Sequence, residues 1–144
     1  MGDHFMRYQL DVAADRETVR RAITTETGVK GWWTDEAVVP ESVGSRLALS
    51  FPEVPQPFDL ELAESSDARV VWRAGSFPPW WEGTTVHWEI ADNPDRDGTR
   101  VVMTHAGFDP ENPVVGLVTM GWGEILTHLR DFAERGEPTP YFKT

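Results

Sequence analysis

The sequence predicts an α+β domain in which an antiparallel sheet packs one face against a long C-terminal helix. Three observations carry this. Most segments between Met6 and Phe108 alternate apolar and polar residues, the period of a half-buried strand. Two stretches repeat at helical spacing instead, a short one after the first strand and a long one from Val114 to Phe132. Turn residues, among them Pro40, Gly44 and Asp97-Gly98, cut the strand region into hairpin-linked pieces.

The elements follow in order. "MRYQLDVAA" sets Met6, Tyr8, Leu10 and Val12 against Arg7, Gln9 and Asp11, a strand. "DRETVRRAITT" supplies Asp15 as an N-cap, Glu17 in the first turn, and Val19, Ala22 and Ile23 on one helical face. Gly28 is the expected stop of this helix and opens "GVKGWWT", in which Gly31 directly precedes the pair Trp32-Trp33. "EAVVP" and "SRLALSF" then read as strands, the second presenting Leu47, Leu49 and Phe51. "FDLELAE" and "ARVVWRA" form a hairpin across "SSD", and "TTVHWEIAD" and "TRVVMTHAGF" form another across Asp97-Gly98. In the second pair Val86, Trp88 and Ile90 share one face, as do Val101, Met103 and His105.

The last helix has two readable starts. Asn112 can cap it with Pro113 at the first helical position. Gly121 and Gly123 each cost about 1 kcal/mol relative to Ala in a helix interior, which leaves a start near Thr119 open as well. Its stripe is Val114, Val118, Trp122, Ile125, Leu126, Leu129 and Phe132, and Gly136 with Pro138 ends it. One domain over residues 1–136 is expected, with 137–144 as a tail.

Composition narrows the function. The 144 residues carry 24 Asp plus Glu against 13 Lys plus Arg, a net charge of −11 that repels phosphate backbones and anionic lipid. Neither nucleic acid nor a membrane is expected as a partner. With no cysteine, thiolate nucleophiles, thiolate metal sites and disulfides are excluded, which fits a cytoplasmic protein. The start lacks a cationic flank followed by an apolar run, and Met1-Gly2 is followed by Met6 where a myristoylation signal requires Ser or Thr. The four histidines lack metal-ligand spacing, and "NPDRDG" fits a hairpin better than a calcium loop because Thr104 stands where a bidentate Glu is needed. No Walker pattern, dinucleotide fingerprint or Gly-x-Ser-x-Gly elbow occurs. No metal and no cofactor are expected.

Four pieces in order, "AITTETGVKGWWT", "GTTVHWEI", "DGTRVVMTHAGF" and "GWGEILTHLRDF", resemble the SRPBCC or START-like superfamily and, within it, the stand-alone relatives of the activator of Hsp90 ATPase (AHSA1-like). The likeness runs from about Met6 to Phe132. It implies a helix-grip fold, Bet v 1-like, with a seven-stranded antiparallel sheet wrapped around the C-terminal helix and short helices after strand one. It also implies a cavity for apolar or amphipathic small molecules, without a universal catalytic residue. The resemblance does not extend to the additional N-terminal domain through which full-length Hsp90 activators engage their chaperone.

A gap between a twisted sheet and its helix is where a ligand would sit. The expected ligand-binding residues are Trp32, Trp33, Trp72, Trp80, Trp88, Met103, His105, Phe108 and Trp122. Adjacent rings are costly in water, so Trp32-Trp33 must close a core, line a pocket or meet a partner. Trp80-Trp81, in the Pro- and Gly-flanked loop "SFPPWWEG", reads equally as a pocket lid or partner contact and as a local hydrophobic clamp. His105 is the best polar candidate for orienting a ligand or moving a proton, with Glu124 or Asp109 as the carboxylate to orient it in space; the alternative is a core histidine hydrogen-bonded to backbone. The leading expectation is a binding protein for a small hydrophobic or aromatic molecule. The alternatives are a cyclase- or dehydratase-like enzyme using His105 and an interaction domain with a chaperone partner.

Overall fold

The computed structural model of the chain describes residues 4–144, so the Met1-Gly2 start lies outside it. The element order is β1 (His4–Val12), α1 (Arg16–Thr24), α2 (Glu26–Trp32), β2 (Glu36–Val38), β3 (Arg46–Ser50), β4 (Phe58–Ser65), β5 (Arg69–Ala74), β6 (Thr85–Asp92), β7 (Thr99–Phe108) and α3 (Val114–Arg135). The seven strands form one antiparallel sheet in the order β1-β7-β6-β5-β4-β3-β2. Strands β2 to β7 are a meander, and β1 closes beside β7. The α1–α2 excursion therefore carries the chain from one edge of the sheet to the other.

Strand alternation sorts the two faces. Val70, Trp72, Val86, Trp88, Ile90, Val101 and Met103 are buried in one core cluster with the apolar residues of the three helices. The opposite face carries cross-strand ion pairs between neighbours: Arg100 with Asp11 at 2.9 Å, Arg73 with Glu61 at 3.0 Å and Arg46 with Asp59 at 2.7 Å. Helix α3 lays Val118, Trp122, Ile125, Leu126, Leu129 and Ala133 on the core. It takes the earlier of its two readable starts, where the Asn112 side chain accepts from the Val114 amide at 3.0 Å. Gly136 ends it in the left-handed conformation, φ 76°, with its amide bonded to the Phe132 carbonyl.

The excursion corrects one expectation. Gly28 does not stop a helix; α1 ends at Thr25, whose side chain caps α2, and Gly28 lies inside α2. Its role is close approach: a Cβ there would stand 2.3 Å from the Arg21 carbonyl oxygen and 2.7 Å from the Ala22 Cα. At Gly31 a Cβ would meet the Phe132 ring at 2.4 Å. Two glycines thus let a two-turn helix nest between α1 and α3, delivering Trp32 and Trp33 into the core. The Trp32 indole N–H fixes this arrangement by donating to the Ala22 carbonyl at 2.8 Å.

Residues 137–144 fold back along the end of α2. The amides of Thr139, Tyr141 and Phe142 donate to the carbonyls of Gly31, Trp32 and Trp33, and the Asp35 amide donates to Phe142. The tail thereby becomes a wall of the molecule beside the tryptophan pair.

Candidate functional site

Aromatic rings fill the space between sheet and helix. Trp88 stands edge-on to Trp32, Trp72 and Trp122 at centroid distances of 5.9, 5.4 and 6.1 Å. Trp33 stacks on Trp32 and on Trp72, and tilts against Trp122 at 5.0 Å. Trp32, Trp72, Trp88, Met103, His105 and Phe108 are each at most 2% exposed, and none of them lines an open cleft.

The cleft lies where this cluster reaches the surface. It holds about 440 Å³, with Trp33, Trp81 and Trp122 at its inner side. Phe51, Pro52, Val54 and Phe58, from the end of β3 to the start of β4, form one wall. Leu117, Met120 and Ile125 of α3 form the other, Trp80 reaches in from the β5–β6 loop, and Tyr141 and Phe142 come from the tail. Phe51 ties the walls together through edge contacts with Phe58 and Phe142 at 4.6 and 5.0 Å. Of the sequence-predicted ligand residues, Trp33, Trp80 and Trp122 meet at the cleft, and the other six belong to the packed interior.

The second tryptophan pair divides between its two readings. Trp80 is half-buried at the rim, whereas Trp81 is only 3% exposed, edge-on to His105 at 4.7 Å and to Phe58 at 5.4 Å. Pro79 and Gly83 frame a turn that folds inward, so a Pro- and Gly-flanked loop was no guide to exposure here.

His105 is fully buried behind the cleft. The Trp122 indole N–H donates to its Nδ1 at 3.0 Å. Its Nε2 lies 2.9 Å from the Thr84 hydroxyl, which donates onward to the Trp81 carbonyl at 2.6 Å. Indole nitrogen can only donate, so Nδ1 is the acceptor and Nε2 carries the proton. Burial pushes the imidazole from its ordinary 6.5 down to about 3, the charge of His87 being a lesser cause. The ring is neutral and satisfied at both nitrogens, and it links α3, β7 and the β5–β6 loop.

Neither candidate carboxylate reaches His105. Asp109 accepts from the Glu111 amide at 3.0 Å in a turn. Glu124 lines the cleft mouth and accepts from the Tyr141 hydroxyl, a bond that raises the phenol above its ordinary value. The His128 ring packs edge-on against Tyr141, and its Nδ1 donates to the Thr139 carbonyl. Among the described residues no cluster of three metal-ligating side chains occurs, and no helix is long and apolar enough to cross a membrane.

Sequence reading missed Phe51, Phe58, Tyr141 and Phe142. An aromatic pair after Pro138 and Pro140, in a segment otherwise polar, was the signal available for the last two.

A seven-stranded antiparallel sheet gripping a C-terminal helix, with two short helices after the first strand, is the helix-grip architecture. The chain belongs to the AHSA1 family, described as activator of Hsp90 ATPase homolog 1-like protein, which it matches over residues 13–134. Its fold is similar to that of Aha1 from Colwellia psychrerythraea, solved as a dimer, with a TM-score of 0.81 at 24% identity, covering 92% of this chain and 98% of that one. Protein SSP2350 from Staphylococcus saprophyticus gives a TM-score of 0.78 at 18% identity, covering 97% and 98%. DynU16, a protein from the dynemicin biosynthetic locus, gives 0.79 at 22% identity, with 99% of this chain matching 51% of that one. No curated protein matches the chain in sequence.

Proposed function

We propose that the protein binds a small apolar or aromatic molecule in the cleft between α3, the β3–β4 and β5–β6 loops and the C-terminal tail. The observation that carries this reading is a cleft of about 440 Å³ whose lining is aromatic and aliphatic apart from Glu124 and Tyr141. That size and composition suit a ligand of one to three rings. Its inner wall is preorganised, because Trp33 and Trp122 are held from behind by the core cluster.

Acid–base chemistry at His105 draws less support. Its one basic nitrogen is occupied by Trp122, burial holds its pKa near 3, and the ring does not line the cleft. A second reading, a protein contact, rests on Leu117 and Met120 at the cleft mouth, 72% and 69% exposed. The dimeric state of the Colwellia relative makes a second copy the natural partner to test. Sedimentation of wild type and Met120→Glu reads this directly: a dimer that the substitution dissociates supports the contact, and a monomer in both removes it.

Native mass spectrometry of freshly purified protein, then denaturation, tests the binding reading. A retained small molecule supports it. If none is retained, titration with 1-naphthylmethanol, followed through the indole N–H signals, decides. Saturable shifts of Trp33, Trp80, Trp81 and Trp122 sustain the reading, and their absence at millimolar probe overturns it.

A further inference from the structure

The polar groups of the cleft define which end group a ligand must bring. Glu124 is the sole charged side chain on the lining, and no Lys, Arg or His joins it there. One carboxylate oxygen accepts the Tyr141 hydroxyl. The other makes no hydrogen bond or ion pair among the described residues. Tyr141 spends its one O–H donor on Glu124, so toward a ligand it too offers only lone pairs. The side-chain donors left on the lining are neutral indole N–H groups: that of Trp122 is committed to His105, and that of Trp81 is buried without a hydrogen-bond partner.

We propose that the cleft selects molecules with an ammonium or other cationic hydrogen-bond donor at one end of an aromatic or aliphatic body, and discriminates against carboxylates such as fatty acids. This rests on the binding reading above. The apolar body lies among Trp33, Phe51, Phe58 and Trp122, and the cationic end meets Glu124 and the Tyr141 oxygen at the mouth. A carboxylate in that orientation would face Glu124 with no cation to offset it. The ring face of Trp80 at the rim adds attraction for a cation and none for an anion. The net charge of −11 acts in the same direction over longer range.

Three probes of one shape test the inference: 1-naphthylmethylamine, 1-naphthylmethanol and 1-naphthoate, titrated into the full chain at neutral pH and 0.15 M salt by calorimetry and by the indole N–H signals. The ammonium form is expected to bind about three- to tenfold tighter than the alcohol, the range for a partly exposed ion pair with a cation–π contact. The carboxylate is expected to bind more weakly than the alcohol. Glu124→Gln keeps the acceptor for Tyr141 and removes the charge, so the ammonium-to-alcohol ratio falls toward one. Glu41→Gln, at an exposed residue outside the lining, keeps the ratio of the wild type and separates local recognition from net charge. Carboxylate binding as tight as ammonium binding, or a ratio unchanged in Glu124→Gln, overturns the selectivity while leaving the binding reading intact. Failure of all three probes to move the cleft tryptophans overturns both.

Discussion

Replacing His105 by glutamine removes a buried group whose protonation the fold opposes, and the effect should be legible in the pH dependence of stability. In the folded chain the imidazole titrates near 3, against an ordinary value of 6.5. A proton added to Nδ1 would point at the Trp122 N–H, donor against donor, in a site sealed from water. The unfolded chain therefore binds a proton that the folded chain refuses as pH falls through 6.5. By linkage the folded state loses stability from there down to about pH 3, at up to about 1.4 kcal/mol per pH unit. Between pH 6 and pH 4 the loss from this one group amounts to about 2.5 kcal/mol, a large share of a typical domain stability of about 5–15 kcal/mol. Glutamine does not titrate, and its amide can accept from Trp122 and donate to Thr84. Burial also lowers the pKa of His87, and hydrogen bonds lower those of Asp11, Asp15 and Glu26, but these groups are common to both proteins and cancel in the difference. Urea unfolding of wild type and His105→Gln across pH 4–8 reads the result. The wild type should fall more steeply below pH 6.5, and parallel curves would refute the buried neutral imidazole.

Gly28→Ala should destabilise by about 1–3 kcal/mol in urea unfolding, because overpacking against the Arg21 and Ala22 backbone outweighs the helix propensity gained. Gly123→Ala is the opposite case: no atom lies within 4 Å of the new Cβ, so stability should rise by about 0.5–1 kcal/mol. Trp122→Phe leaves the His105 Nδ1 buried without its donor and should cost about 1–3 kcal/mol beyond the lost ring volume, measured against His105→Gln in a double-mutant cycle. Phe142→Ala opens the tail side of the cleft and should weaken 1-naphthylmethanol binding roughly three- to tenfold by calorimetry, with far-UV circular dichroism unchanged.

Strand periodicity was strong enough to read the sheet because most strands have one buried apolar face and one more exposed, more polar face. The segment Thr99–Phe108 is a strand with Val101, Met103 and His105 buried as the alternation predicts, and Thr104 on the other face is buried as well. Gly28 misled because glycine marks helix ends and close helix contacts alike, and only the neighbouring Arg21 and Ala22 backbone distinguishes them. The site was half legible. Inward-facing aromatics were read correctly as inward, but alternation cannot separate a ring that fills a core from one that lines a cleft. Trp72 and Trp88 are mid-strand and covered on all sides, whereas Trp33 follows a helix end and reaches the edge of the cluster. Partners contributed across long sequence distances, such as Thr84 to His105 and Tyr141 to Glu124, leave no spacing to detect.

The same argument explains why seven tryptophans suit a protein of this size. The ring ladder from Trp88 through Trp72 and Trp32 to Trp33 is rigid, so the inner side of the cleft is set by the core and not by loop fluctuation. The outer walls come from elements with fewer partners: the β3–β4 and β5–β6 loops and the tail. Adjustment to a ligand therefore falls to Trp80, Tyr141, Phe142 and the Phe51 wall, while the ladder stays in place. Amide exchange should reveal the division, with protection of β5, β6 and β7 unchanged on adding 1-naphthylmethanol and protection of the tail amides of Thr139, Tyr141 and Phe142 increased. If the probe slowed exchange throughout the sheet without affecting the tail, its site would be the interior between sheet and helix, and the cleft would no longer explain binding.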